Sequence, residues 1–139
     1  MSRIPAEFVE LARTSPYLDL LGPIYQKTSA SGLVVGLRIA EKHCNARSRL
    51  HGGVVSGLAD ITLGYSMAFA SGEPRPLVTT SLSVDFAGSA NCGDWLEIHT
   101  DIQKMGRTMA FANCYFLVGS ERIARASGVF LDVGSLGRD

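Results

Sequence analysis

The sequence predicts an α+β domain in which an antiparallel sheet wraps one long central helix, and three observations lead there. Residues 54–70 read as a helix of about 17 residues, roughly 25 Å long at the standard rise. Its apolar residues, among them Val55, Leu58, Ile61, Leu63, Met67 and Phe69, run nearly all the way round, as in a helix buried in a core. Two strand-like runs precede it and four follow, most of them with the period of two that marks a half-buried strand. The turns between the later runs are short, which favours antiparallel neighbours, and the alternating helices that a parallel sheet needs are missing.

Taken in order, residues 5–14 predict a short amphipathic helix, with Pro5 in its first turn and Phe8, Val9, Leu11 and Ala12 on one face. Residues 15–23, punctuated by prolines and Gly22, read as a connector. Residues 24–29 predict an edge strand, and a turn at Ser29-Ala30-Ser31-Gly32 leads into a strand over 33–40. The polar stretch 41–50 feeds the central helix, and Ser71-Gly72-Glu73-Pro74-Arg75-Pro76 breaks the chain after it. Four strands then follow at 77–86, 95–104, 108–118 and 123–132, with Gly128 marking a bulge in the last. Residues 134–139 read as a frayed tail. The whole of 1–139 is thus expected to be one domain with its core over about 24–133.

Composition narrows the class. Thirteen basic residues balance thirteen acidic ones, and the sequence pI is about 6.8, so no nucleic-acid groove or polybasic membrane patch is expected. The longest apolar run is too short and too polar to span a bilayer. The first residues lack the basic-then-apolar order of a signal peptide. Three widely spaced cysteines, Cys44, Cys92 and Cys114, suit a reducing cytoplasm better than a disulfide framework. His43, Cys44 and His51 have no spacing of a closed zinc site, so no metal is expected.

One charge interrupts the apolar helix: Asp60. A carboxylate there is costly unless it is paired, hydrogen-bonded or shifted in pKa. Ahead of it stand His51, Gly52 and Gly53 at the helix start, where unpaired backbone N–H groups and a positive dipole end suit a carbonyl or an anion. The two glycines let a ligand come close to that backbone. Asp60 follows Gly52 by eight residues, which is about 12 Å along the axis, so both cannot serve one carbonyl within one chain. Two antiparallel copies solve this, each setting its Asp60 beside the other's Gly52-Gly53, and a twofold dimer with shared sites is expected. Thr80 is the second oddity: a hydroxyl among Val78, Leu82, Val84 and Phe86, on the strand face expected to pack on the helix.

The arrangement Asn45 … His51-Gly52-Gly53 … Asp60, followed by the alternating strand with Thr80, resembles the hotdog-fold acyl-CoA thioesterases, most closely the PaaI-like, phenylacetate-pathway branch. The resemblance covers roughly residues 33–133. It implies a hotdog homodimer, often paired into a homotetramer, that hydrolyses an acyl-CoA with no cofactor beyond the coenzyme A of its substrate. It implies Asp60 as general base or nucleophile, and Gly53, with Gly52 beside it, as the N–H donor to the thioester oxygen. Asn45 and His51 would position the thioester or a water, with Thr80 assisting at the water. In that family the turn between the last long strands helps bind the nucleotide end; here it is Lys104-Met105-Gly106-Arg107-Thr108, which implies a phosphate contact for Arg107 and, secondarily, Lys104. Two positions depart from the family's pattern: Ser48 stands where a glycine is common and Ser89 where a proline is usual.

Two other readings compete. A hotdog dehydratase or hydratase would use a histidine with a carboxylate, for which His51 and Asp60 are the available pair, but Gly52-Gly53 after the histidine fits a thioesterase better. A non-catalytic acyl-CoA-binding module is permitted by fold alone; the retained Asp60 argues against it.

Overall fold

The chain forms β1 at Val9–Glu10, α1 at Pro16–Leu21, β2 at Tyr25–Ser29 and β3 at Gly32–Arg38. A 3-10 turn at Glu41–His43 precedes the long helix α2, Gly52–Ala68. The remaining strands are β4 at Leu77–Phe86, β5 at Trp95–Met105, β6 at Met109–Val118 and β7 at Glu121–Asp132. In this computed structural model, which describes residues 3–30 and 32–135, the strands join one antiparallel sheet in the order β1-β2-β3-β5-β6-β7-β4. The sheet curls around α2, which packs against β3 to β7. The expected architecture and all four late strands are therefore present. Ser31 of the expected first turn and residues 136–139 of the expected tail lie outside the described residues.

The N-terminal expectation is corrected. No helix spans 5–14: Val9 and Glu10 pair with Gln26 and Tyr25 as an edge strand, and the helix lies at Pro16–Leu21, inside the expected connector. Phe8 serves the core here as a strand-side anchor, buried edge-on against the Trp95 ring with 5.0 Å between centroids. Ser15-Pro16 is a helix start rather than a break. The Ser15 hydroxyl accepts from the Leu18 N–H at 3.3 Å, and proline at the first helical position has no N–H to waste.

The central helix buries one side. Val55, Leu58, Ala59, Thr62, Leu63, Ser66 and Met67 are buried, at the three- and four-residue spacing of a stripe. Beneath them the sheet is built of small residues. Gly128 marks no bulge, since its pairing with Leu82 and Ala112 is in continuous register. Its use is clearance: a Cβ there would sit 2.9 Å from the Leu63 side chain. Register shifts lie elsewhere: in β4 between Thr79 and Ser81, in β5 between Ile102 and Lys104, and where β6 meets the start of β7, at Phe116/Leu117.

One buried histidine ties α1 to this core. His43 Nδ1 accepts from the Ala40 N–H at 2.9 Å, so Nε2 carries the proton and donates to the Leu21 carbonyl at 2.6 Å. Burial holds its pKa below the usual 6.5, against the opposing pull of the Leu21 carbonyl and with a smaller push from Lys42. The unfolded chain therefore takes up a proton first as pH falls through about 6.5, and the folded state loses stability below that value. Thermal melts between pH 7.5 and 5 are expected to fall more steeply for the wild type than for His43→Asn, whose carboxamide oxygen can replace Nδ1 without titrating. Equal slopes would remove His43 from the acid response.

Candidate functional site

Asp60 follows the buried Ala59 on α2 and lies at the flank of the buried stripe, half-buried beside Ile61, Gly64 and Tyr65 and facing the edge strand β4. Its Oδ1 accepts a hydrogen bond from the Thr79 hydroxyl. The expected threonine was Thr80, and the extra residue in β4 explains the difference. Thr79 pairs with Phe130 and Ser81 with Val129, so Thr80 is left out of the ladder. Alternation restarts after it, bringing Leu77 and Thr79 to the helix side with Leu82 and Val84, while Val78 is 45% exposed. Asp60 and Thr79 lie on the wall of an open cavity of about 730 Å³, with Ile61, Gly64, Leu77 and Phe130 among its apolar lining.

The start of α2 forms the second half of the site. His51 is the N-cap, and its Nδ1 accepts from the Gly53 N–H at 2.8 Å. The Gly53 amide expected to meet a ligand is thus already engaged. Among the described residues the Gly52 N–H has no hydrogen-bond partner, which makes it the donor left open at the positive end of the helix. The glycines have separate reasons. A Cβ at residue 53 would lie 3.0 Å from His51 Nδ1, and one at residue 52 would lie 3.4 Å from the Phe86 ring that covers it.

The loop before the helix is fastened at several points. Asn45 Oδ1 accepts from the backbone N–H groups of Arg47 and Arg49 at 2.9 and 3.2 Å, leaving the NH₂ of its carboxamide as the group available to a ligand. Ser48 adopts φ 60°, a left-handed conformation that costs a residue with a Cβ roughly 1–2 kcal/mol. Arg49 donates to the Ser89 hydroxyl at 2.9 Å, and its backbone bridges Asn91. Ser89, one of the two departures from the family's pattern, thus joins with Arg49 the two loops that flank the helix start. Burial, and Cys92 beside it, push the Cys44 thiol up, away from the thiolate a nucleophile needs.

Lys104, near the end of β5, and Arg107, on the turn between β5 and β6, are both exposed. Sequence reasoning missed the residue that holds this turn. Arg75 Nε bonds to Asp132 at 2.8 Å, and its guanidinium donates to the Gly106 and Arg107 carbonyls at 2.8 and 3.1 Å. Arg75 also lines the 730 Å³ cavity, so the turn is fixed to the rim of the space that holds Asp60. Among the described residues, no group of three or more His, Cys, Asp or Glu side chains could hold a metal ion, and no helix is long and apolar enough to cross a membrane.

Within one chain Asp60 and the Gly52 amide remain eight residues apart on one helix, about 12 Å. The structure brings Asp60 to Thr79 and His51 to Gly53, but it does not bring these two pairs together.

Comparison with known proteins bears on this arrangement. A family model described as the thioesterase superfamily matches residues 48–122. A Pseudomonas aeruginosa protein whose name proposes an esterase is 51% identical over 131 residues, 94% of this chain and 98% of its own. Human acyl-coenzyme A thioesterase 13 is 27% identical over 95 residues, 68% of this chain and 67% of its own. Among solved structures, the E. coli PaaI protein from the phenylacetic acid degradation operon superposes with a TM-score of 0.77 at 19% identity, covering 86% of each chain.

The strained residue gives a test independent of chemistry. Ser48→Gly removes the Cβ from a left-handed position and is expected to stabilise the fold by about 1 kcal/mol, raising the melting temperature by roughly 2–4 °C. A lower melting temperature would mean that the Ser48 side chain contributes more than its strain costs.

Proposed function

Because the chain belongs to the thioesterase superfamily and has the hotdog fold, we propose that it hydrolyses an acyl-CoA thioester to a free acid and coenzyme A. The observation that carries this reading is the carboxylate of Asp60, held by the Thr79 hydroxyl on the wall of a large, mostly apolar cavity. A helix carboxylate with one oxygen oriented and the other left for water suits a general base or a nucleophile.

In this reading the active unit is a homodimer, with pairing into a tetramer left open. β4 ends the sheet and offers a free edge ten residues long. Antiparallel pairing with a second copy about a twofold axis near Leu82 and Ser83 would set Thr79 opposite the partner's Phe86. Phe86 lies over Gly52 within its own chain, so this register delivers the partner's Gly52 amide to the neighbourhood of Asp60. The partner's Gly52 N–H then polarises the thioester carbonyl, a donor fixed before the reaction begins. Asp60 either takes a proton from the attacking water or attacks the carbonyl itself to give an anhydride that water opens. In both routes the C–S bond breaks and the coenzyme A thiolate leaves to be protonated. His51 keeps the helix start in place through its cap, and the Asn45 NH₂ is the further donor at the carbonyl or the water. Lys104 and Arg107 are proposed to meet the phosphates of the coenzyme, at the turn that Arg75 holds. The cytoplasm is the proposed compartment.

Thiol release from a panel of acyl-CoA esters is expected for the wild type, with Asp60→Asn lowering kcat by at least about 10²-fold while the assembly and melting curve persist. Undiminished turnover in that variant would remove Asp60 from the chemistry. The shared site has its own test. Gly52→Pro deletes the N–H at a position where proline suits a helix, and the extended His51 before it is compatible with proline. Refolded mixtures of Asp60→Asn and Gly52→Pro chains, each inactive alone, are expected to regain turnover through one intact site per mixed dimer. An active monomer by light scattering, or mixtures that stay inactive while forming dimers, would overturn the shared site.

A further inference from the structure

The cavity that holds Asp60 has a neighbour. A second, of about 660 Å³, lies between the N-terminal segment and the C-terminal end of α2, with Leu11, Leu33 and Ile102 among its apolar lining and the buried Ser66–Thr100 hydroxyl pair on its wall. Three residues border both cavities: Arg13, Tyr65 and Phe69. They touch one another. The Tyr65 and Phe69 rings meet edge-on with centroids 6.1 Å apart, and the Arg13 guanidinium lies 4.9 Å from the centre of the Phe69 ring. The residues common to both cavities are therefore in mutual contact: Tyr65 in the last turn of α2, Phe69 at its C-cap and Arg13 in the segment before α1.

The geometry also fixes a direction. An acyl group whose carbonyl sits at Asp60 and that follows the wall of this cavity along α2 passes Ile61 and Gly64, against which the Phe130 ring packs, and meets Tyr65. We propose that Tyr65, Phe69 and Arg13 form a gate that sets the length of the acyl chain accepted. Acyl groups that end at the gate fill the first cavity; longer ones enter the second only if the gate is displaced. The inference rests on the acyl-CoA reading above and adds the selector for the acyl portion. It draws on ordinary pocket physics: aromatic residues that wall a cavity limit what fits it, and each methylene excluded or admitted changes kcat/KM by roughly tenfold or more. Phe69 is 39% exposed, so truncating it empties no fully buried core position.

The experiment is a chain-length series on wild type, Phe69→Ala and Arg13→Ala, with acyl-CoA hydrolysis followed by thiol release and S-alkyl-CoA thioethers of the same lengths bound by calorimetry. For Phe69→Ala, kcat/KM for the longest esters relative to the shortest is expected to rise by at least about tenfold, through KM, and thioether affinity should shift in the same direction. Arg13→Ala should move the profile the same way by less, with an unchanged melting curve as the control. Profiles that remain parallel, or variants that lose activity equally at every length, would overturn the gate while leaving the thioesterase reading intact. A wild type that turns over no ester but binds thioethers would sink the hydrolytic reading, and the thioether profiles would still decide the gate. Absence of binding at every length would overturn both.

Discussion

The sheet can close around α2 because its central strands carry small residues under the helix: Ala110, Ala112 and Cys114 on β6, and Ala124, Ala126 and Gly128 on β7, all buried. Interiors are packed to crystal density, so the depth at which the helix rests is decided by those residues. Leu58, Ala59, Leu63 and Met67 fill the space without exposure. Once this face is committed, the helical phase puts Asp60, three residues before Leu63 and seven before Met67, at the flank of the buried stripe beside β4. The site is thus a by-product of how the core is packed, and the carboxylate needs no special backbone to hold it out.

The donor end of the helix depends on different forces. Its amides are arranged by the His51 cap and by a loop whose hydrogen bonds are mostly to its own backbone, through Asn45, or to a neighbouring loop, through Arg49 and Ser89. At the far end Arg75 does similar work. It binds Asp132 of β7, the carbonyls of the β5–β6 turn and, through its backbone N–H at 2.9 Å, the Ala68 carbonyl at the end of α2. An arginine half-shielded from solvent, with a carboxylate and three backbone partners, is a stronger tether than a surface ion pair. Helix, turn and last strand are therefore tied together at the mouth of the cavity.

Much of this was legible from the sequence because it rests on periodicity. The helix, the four late strands and the isolated Asp60 follow from side-chain spacing alone, and the family resemblance rests on His51-Gly52-Gly53 and its distance to Asp60. What could not be read depends on contacts between distant segments. Residues 5–14 have a helical pattern, but pairing of Val9 and Glu10 with β2 outweighs a propensity too weak to hold so short a helix. Ser15-Pro16 did carry a helix-start signal, hidden by reading proline only as a breaker. Which glycine keeps a free amide was set by the rotamer of His51, which no spacing encodes. Arg75 sits in a run of turn residues, and the partners of its side chain lie 31 to 57 positions away.

The irregularity in β4 reaches beyond the placement of one hydroxyl. The strand has ten residues but forms nine ladder pairs with β7, and the residue left over lies beside the one that meets Asp60. A related chain could lack that residue and keep every pair and the same inward-facing set. Equivalence between relatives here is defined by ladder position, not by residue count. An ungapped comparison across β4 would credit the hydroxyl to a neighbour, and a substitution study designed on it would miss the threonine that meets Asp60.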